Sequence, residues 1–158
     1  MIVSNTVEIK KELQNLSQKA IIELCLHLVK YKKDNKEYLN YLLFQAHSKS
    51  SYIESIKLEM DENFSDVSLQ PNLYFVKKTL RKHLKTLNKY CKYINDKASA
   101  AELHIYFCKK LKTSKIPYEH SQLLVNLYEQ QLKKIKTLIS ALHEDLQLDY
   151  LNEYQSLL

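Results

Sequence analysis

One histidine and two cysteines are the side chains of this chain best suited to chemistry. His104 and Cys108 are four residues apart, so a helix places them on one face, and Cys91 on the preceding predicted helix could approach them. Such groups can form a thiolate–imidazole nucleophile or ligate zinc. A structural zinc site needs four ligands, and the spacing supports only two. Because Cys108 also belongs to an apolar helical pattern, we expect a buried thiol beside a hydrogen-bonded histidine, with no metal, no cofactor and no catalytic residue.

Acidic side chains near the C-terminus have the spacing of a weak cation site. Asp145 and Asp149 are four residues apart and could chelate a divalent cation with Glu144. His143 and Glu144 also begin like the helix of a zinc protease, but Gln147 stands where the second histidine is needed. An acidic stretch in the first half of the chain lacks the glycine and the alternating oxygen ligands of an EF-hand loop; it consists of Glu54, Glu59, Asp61, Glu62 and Asp66. We therefore expect solvated carboxylates on the last helix and a metal site in neither group.

The positive charge of the chain is concentrated in its middle. The net charge is +6, yet residues 71–115 alone carry 12 basic and 2 acidic side chains. On a helix, the basic residues between Tyr74 and Tyr93 lie opposite a leucine stripe and form a surface roughly 25 Å long. No acid interrupts them. We call this surface the basic ridge; its residues are Tyr74, Lys77, Lys78, Arg81, Lys82, Lys85, Lys89, Lys92 and Tyr93.

Three interpretations of the basic ridge remain open. A run of lysines can be a solvated helix face. It can bind nucleic acid, with lysines neutralising phosphates and tyrosines stacking on unpaired bases; Arg81 is the only arginine, so such binding would be indifferent to base sequence. It can also bind an acidic partner, which includes the acidic C-terminal segment of the same chain or of a second copy. In that segment Glu144, Asp145, Asp149 and Glu153 fall within ten residues.

The composition excludes several classes of protein. There is no glycine among the 158 residues, and phosphate-binding loops, dinucleotide-binding turns and nucleophile elbows all require it. No apolar run approaches the ~20 residues of a membrane span, and the N-terminus does not have the pattern of a signal peptide. Three widely spaced cysteines favour free thiols and a cytoplasmic location. Most of the twelve tyrosines adjoin leucines, so we expect them at the edge of the core.

Helical periodicity dominates the chain and predicts an all-α fold, with a single domain over residues 1–158 built from six to eight antiparallel helices. The clearest are a long basic helix at about 71–95, with Pro71 in its first turn, and an acidic amphipathic helix at about 144–158. The segment from Gln18 to about Lys32 is apolar on most sides, so it is predicted to be central and mostly buried. One further predicted helix follows Thr6, and three others span about 36–47, 97–112 and 119–143. Another begins at Ser50 or Ser51 and frays at 63–68.

The missing glycines also bear on how helices begin and end. Ser17, Asp96 and either Asp34 or Asn35 are predicted to cap helix N-termini. Since no glycine is available for the left-handed conformation that commonly ends a helix, Asn35, Asn63 and Asn95 are expected to adopt it.

The leucine spacing of residues 13–60 is similar to that of the helix pairs in HEAT and armadillo proteins. The segment Tyr-Lys-Lys-Asp-Asn-Lys-Glu at 31–37 also resembles one in small bacterial all-helical proteins without known activity. The resemblance implies a short α-solenoid-like array as one form of the fold, and it implies no activity and no functional residue. The sequence therefore predicts a non-enzymatic helical interaction module whose basic ridge binds an acidic partner. The alternative is a sequence-indifferent nucleic-acid-binding protein that uses the same ridge.

Overall fold

The computed structural model describes residues 4–68 and 72–158, and within these ranges it contains eight α-helices, one short 3-10 helix at Tyr118–His120 and no β-strand. The prediction of an all-α fold with six to eight helices is confirmed. Pro71 lies outside the described residues. None of the described helices is long and apolar enough to cross a membrane. The helices are α1 (Thr6–Gln14), α2 (Gln18–Tyr31), α3 (Lys33–Phe44), α4 (Lys49–Ser68), α5 (Leu73–Ile94), α6 (Lys97–Thr113), α7 (Gln122–Ile139) and α8 (Glu144–Gln155).

The chain divides into two compact units, Met1–His47 with α1 to α3 and Ser48–Leu158 with α4 to α8. The sequence analysis indicates no boundary at this point. In the first unit α2 packs against α3, and the two helices are separated by Lys32 alone.

Helix starts in the first unit follow short polar side chains. Asn5, and not Thr6, caps α1: its side chain accepts hydrogen bonds from the backbone N–H groups of Val7 and Glu8, both at 3.0 Å. The Glu8 carboxylate accepts one from the Asn5 N–H at 3.1 Å, which completes a capping box. Ser17 caps α2 as predicted, with 3.3 Å to the Ala20 nitrogen.

The predicted cap at Asp34 or Asn35 is wrong, and so is the left-handed conformation at Asn35. Helix α3 already begins at Lys33, and its N-cap Lys32 makes no side-chain capping bond. Asn35 is therefore inside α3, where its Nδ2 donates to the Leu28 carbonyl oxygen at 2.9 Å. This bond joins the start of α3 to the end of α2 and replaces the capping role expected of Asn35.

The prediction that α2 is central and mostly buried is also wrong. None of its residues is buried, and the side chains of Ile22, Leu26 and Leu28 are 53%, 49% and 59% exposed. Tyr41 in α3 is the only buried side chain among the described residues of this unit. The physical reason is geometric: apolar residues surround α2, whereas α3 covers one of its sides.

The second unit is built around α6. This helix packs against α4, α5, α7 and α8, and Leu103, Phe107 and Leu111 on it are completely buried. Helix α4 runs parallel to α6, because Lys49, Lys57 and Asp61 pair in the same order with Asp96, Glu102 and Lys110. Helices that surround a central one form a bundle, whereas in a linear repeat array each contacts only its neighbours.

Of the left-handed helix ends predicted at Asn95 and Asn63, the first is confirmed and the second is wrong. Asn95 ends α5 with φ 51° and ψ 41°, the left-handed conformation that was predicted, and it is the only positive φ among the described residues. Asn63 does not end a helix, because α4 continues to Ser68 without the predicted fraying. Phe64 and Val67 are buried, and this packing extends the helix through the polar segment.

The C-terminal segment folds as two helices. The predicted helix at 119–143 is instead the 3-10 turn followed by α7, and the acidic helix at 144–158 is α8. Helix α8 packs against α6 and α7. Its end is held by Lys112, whose Nζ donates to the carbonyl oxygens of Ser156 and Leu157 at 3.2 Å each, and by the Tyr128 hydroxyl, which donates to Leu157 at 2.9 Å.

Candidate functional site

The basic ridge lies on the outer face of α5. Val76, Leu80, Leu84, Leu87 and Ile94 are buried on the opposite face, as the leucine stripe predicts. The exposed cations are Lys78, Arg81, Lys82, Lys85 and Lys92, while Lys77, Lys89 and Tyr93 are half-buried and Tyr74 is 69% exposed. The helix thus presents five cationic side chains to solvent along four turns.

Most cations of the ridge are unpaired within the part of the chain that the structure describes. Six of them form no ion pair with any described residue: Lys77, Lys78, Arg81, Lys82, Lys85 and Lys92. Like charges spaced by three or four residues destabilise a helix by about 0.2–0.5 kcal/mol per pair. These six cations of the ridge therefore have no carboxylate partner among the described residues.

The carboxylates of the acidic helix α8 that form ion pairs have partners outside the ridge. Glu153 Oε2 lies 2.6 Å from the Nζ of Lys109 on α6, and Asp145 lies 3.1 Å from the ring of His143 on its own helix. Since α8 packs against α6 and α7, these carboxylates are directed away from an intramolecular pairing with the ridge. An acidic partner of the ridge would have to come from elsewhere.

Aromatic side chains are available at one end of the ridge only. Tyr74 and Phe75 are 69% and 44% exposed, and their rings meet edge to face with centroids 5.5 Å apart. Tyr93 at the other end is half-buried, with its ring 6.5 Å from that of Tyr90. Between Lys78 and Lys92 the exposed face of α5 carries no aromatic side chain. A ligand along this stretch would meet charge without stacking.

The histidine and cysteines of the sequence analysis are placed in or near the core. Cys108 is completely buried, and burial raises the pKa of its thiol to about 12. Burial likewise raises the pKa of Cys91 to about 11, although Lys134 opposes this shift. Both groups are thiols at neutral pH, so neither is activated as a nucleophile.

His104 is a buried neutral imidazole. It is 0% exposed, and burial, together with the nearby Lys134 ammonium, lowers its pKa to about 3. Gln131 on α7 lies beside the ring, but neither ring nitrogen completes a hydrogen bond with a described residue. The imidazole is therefore packed between α6 and α7, with the Gln131 side chain beside it.

The carboxylates of the acidic stretch are paired along α4. Asp61 Oδ1 lies 2.8 Å from both the Lys110 Nζ and the Tyr106 hydroxyl on α6. Glu54 is 2.7 Å from Lys57. Across residues 4–68 and 72–158, no group of three or more His, Cys, Asp and Glu side chains is arranged to hold a metal ion. Lys57 of α4 and Lys110 of α6 thus neutralise carboxylates of this stretch.

The sequence analysis missed a cavity of about 400 Å³ between α6 and α8, with Lys57 of α4 at its rim. From α6 it is lined by Glu102, Ile105, Tyr106 and Lys109. From α8 it is lined by Leu146, Asp149, Tyr150 and Glu153. The two sets have the same spacing of three, one and three residues, so each forms one helix face. The spacing marks one face on each helix, but it does not show that these two faces meet.

No family model, curated protein or solved structure matches this chain.

Proposed function

We propose that this chain is a non-enzymatic, cytoplasmic interaction module whose basic ridge binds an acidic protein surface. The observation that carries the proposal is the row of exposed cations on α5 that have no carboxylate partner among the described residues. Complementary charge across an interface raises the rate of encounter and fixes its register. A partner that brings carboxylates to Lys78, Lys82 and Lys85 would relieve their mutual repulsion.

An acidic protein is favoured over nucleic acid by the middle of the ridge. Proteins that bind single strands without sequence preference combine a positive groove with aromatic stacking platforms. The exposed face between Lys78 and Lys92 has lysines and no such platform. Nucleic acid remains the second candidate, and the observation that favours it is the exposed pair Tyr74 and Phe75 at the start of α5.

The proposal is tested with poly-L-glutamate as the acidic probe, in a titration followed by fluorescence anisotropy at low salt. The chain should bind, and simultaneous substitution Lys78→Glu, Lys82→Glu and Lys85→Glu should abolish binding because it reverses the centre of the ridge. Affinity of the unsubstituted chain should fall steeply as salt rises, since the contact is electrostatic.

A matched control separates the ridge from the net charge. Lys97, Lys115 and Lys133 are exposed and lie outside the ridge, and their replacement by glutamate changes the net charge by the same amount. Binding that survives in this variant supports the ridge. An equal loss in both triple variants, or no binding by the unsubstituted chain, contradicts the proposal, and tighter binding of oligo-dT than of poly-L-glutamate selects the nucleic-acid alternative.

A further inference from the structure

The cavity between α6 and α8 is built from elements that are firmly attached to each other. The α8 wall is fixed at its C-terminal end by Leu157, which is 2% exposed, and by the hydrogen bonds from Lys112 and Tyr128. Lys109 and Glu153, 2.6 Å apart, join the two helices at the cavity itself. A volume of about 400 Å³ is in the range of small-molecule sites.

The cations of the cavity are already neutralised. Lys57 Nζ lies 2.7 Å from Glu102 and 2.7 Å from Glu54, and Lys109 is paired with Glu153. The lining contains three carboxylates against two ammonium groups. The carboxylate left over is Asp149, which forms no ion pair with any residue that the structure describes.

The electrostatic environment of Tyr150 agrees with this surplus of negative charge. Burial and then the nearby carboxylates of Glu102, Glu153 and Asp96 raise the pKa of the Tyr150 hydroxyl, with Lys57 opposing them. A negative potential at the Tyr150 hydroxyl disfavours a second anion and favours a cation. The remaining walls are apolar or aromatic, from Ile105, Leu146 and Tyr106.

We propose that this cavity is a binding site for a small primary amine with an apolar body. The ammonium group would lie against Asp149, and the body would lie on Ile105 and Leu146, beside Tyr150. A single unpaired carboxylate matches a single positive charge. The site is separate from the basic ridge on α5, so it does not depend on the function proposed above.

The test uses three probes of nearly the same shape and different charge, titrated calorimetrically into the full chain: phenethylamine, 2-phenylethanol and 3-phenylpropanoate. Phenethylamine should bind with a Kd of about 1 mM or below, and the neutral and anionic probes should bind at least about tenfold more weakly, because only the ammonium gains a charged hydrogen bond. Asp149→Asn should weaken phenethylamine binding by about tenfold or more.

Glu144→Gln is the matched control, since it removes one negative charge from the same helix outside the cavity. It should leave phenethylamine binding unchanged, and circular dichroism melts of both variants check that α8 stays folded. Preferential binding of 3-phenylpropanoate, equal loss in both variants, or no heat from phenethylamine would overturn the proposal. If Asp149→Asn fails to fold, Tyr150→Leu is the second variant, and unchanged phenethylamine affinity in it would contradict the site.

Discussion

At the scale of single residues, His104 shows how burial decides chemistry. An imidazole is the side chain best suited to proton transfer near neutral pH, but here it is enclosed by α6 and α7 and its pKa is lowered to about 3 by burial and Lys134. It therefore stays neutral throughout the physiological range. The low pKa instead affects stability, because below pH 6.5 the unfolded chain binds a proton at His104 and the folded chain does not.

The pH dependence of stability follows from this difference. The stability contributed by neutral His104 is complete above the unfolded pKa of 6.5 and is lost as the pH falls from there toward about 3. Between pH 7.5 and pH 5 the free energy of unfolding should fall by about 2 kcal/mol on this account, measured by urea denaturation. The pKa of His83 is also lowered by burial, so this residue too makes the free energy of unfolding fall as the pH falls.

The substitution His104→Leu isolates the first contribution. In this variant the free energy of unfolding should depend less on pH between 7.5 and 5. The chain should also be at least as stable at pH 7.5, since two buried ring nitrogens without a hydrogen-bond partner among the described residues are removed. His120→Gln, at an exposed histidine, should change neither. If the free energy of unfolding of His104→Leu still fell as steeply between pH 7.5 and pH 5, the folded protein would protonate His104 as readily as the unfolded chain does.

At the scale of the element, α5 combines a well-packed face with a face of repelling charges. Its buried stripe and its caps Asn72 and Asn95 account for the stability of the helix. The cations on the other side oppose it, because neighbours such as Lys78 and Lys82 are four residues apart and unpaired in their unit. Function on this face would thus be obtained at a cost in stability.

A single charge reversal measures that cost. In Lys78→Glu the new carboxylate would face Arg81 and Lys82, three and four residues on. The free energy of unfolding should rise by about 0.5–1 kcal/mol, observed as a higher urea midpoint. Lys78→Gln should show a smaller gain, since it only removes repulsion. A loss of stability in Lys78→Glu would mean that the Lys78 ammonium is stabilised within the folded chain.

At the scale of the whole molecule, the two compact units differ in how much core they possess. Ser48–Leu158 buries side chains on α4 to α7 around α6. Met1–His47 buries only Tyr41 among its described residues, and several large apolar side chains of α2 are about half exposed. Fewer than about 50 residues rarely form a sufficient core without staples or partners.

The units should therefore behave differently when produced separately. A fragment of residues 48–158 should give a helical circular dichroism spectrum and a cooperative melt. A fragment of residues 1–47 should show little helix, because isolated helices of 9 to 14 residues are marginal in water. A cooperative melt of the short fragment, or failure of the long one to fold, would contradict this description of the units.

Local features of this protein were determined by the sequence alone. Helical periodicity predicted the all-α class, the long basic helix and the buried leucine stripe, and the absence of glycine predicted the left-handed Asn95. Such features depend on residues within one or two turns of each other, so spacing along the chain contains them. For the same reason Ser17 and Asp96 were recognised as N-caps.

Features that depend on which helices meet were decided only by the tertiary structure. The apolar pattern of α2 predicted burial, but burial requires neighbours on every side, and these surround α6 instead. The carboxylates of the last helix were predicted to be solvated, but α6 brings Lys109 to Glu153, and it likewise brings Lys110 to Asp61. The cavity beside Asp149 exists because two helix faces 44 residues apart in sequence pack together, and no periodicity within either helix encodes that contact.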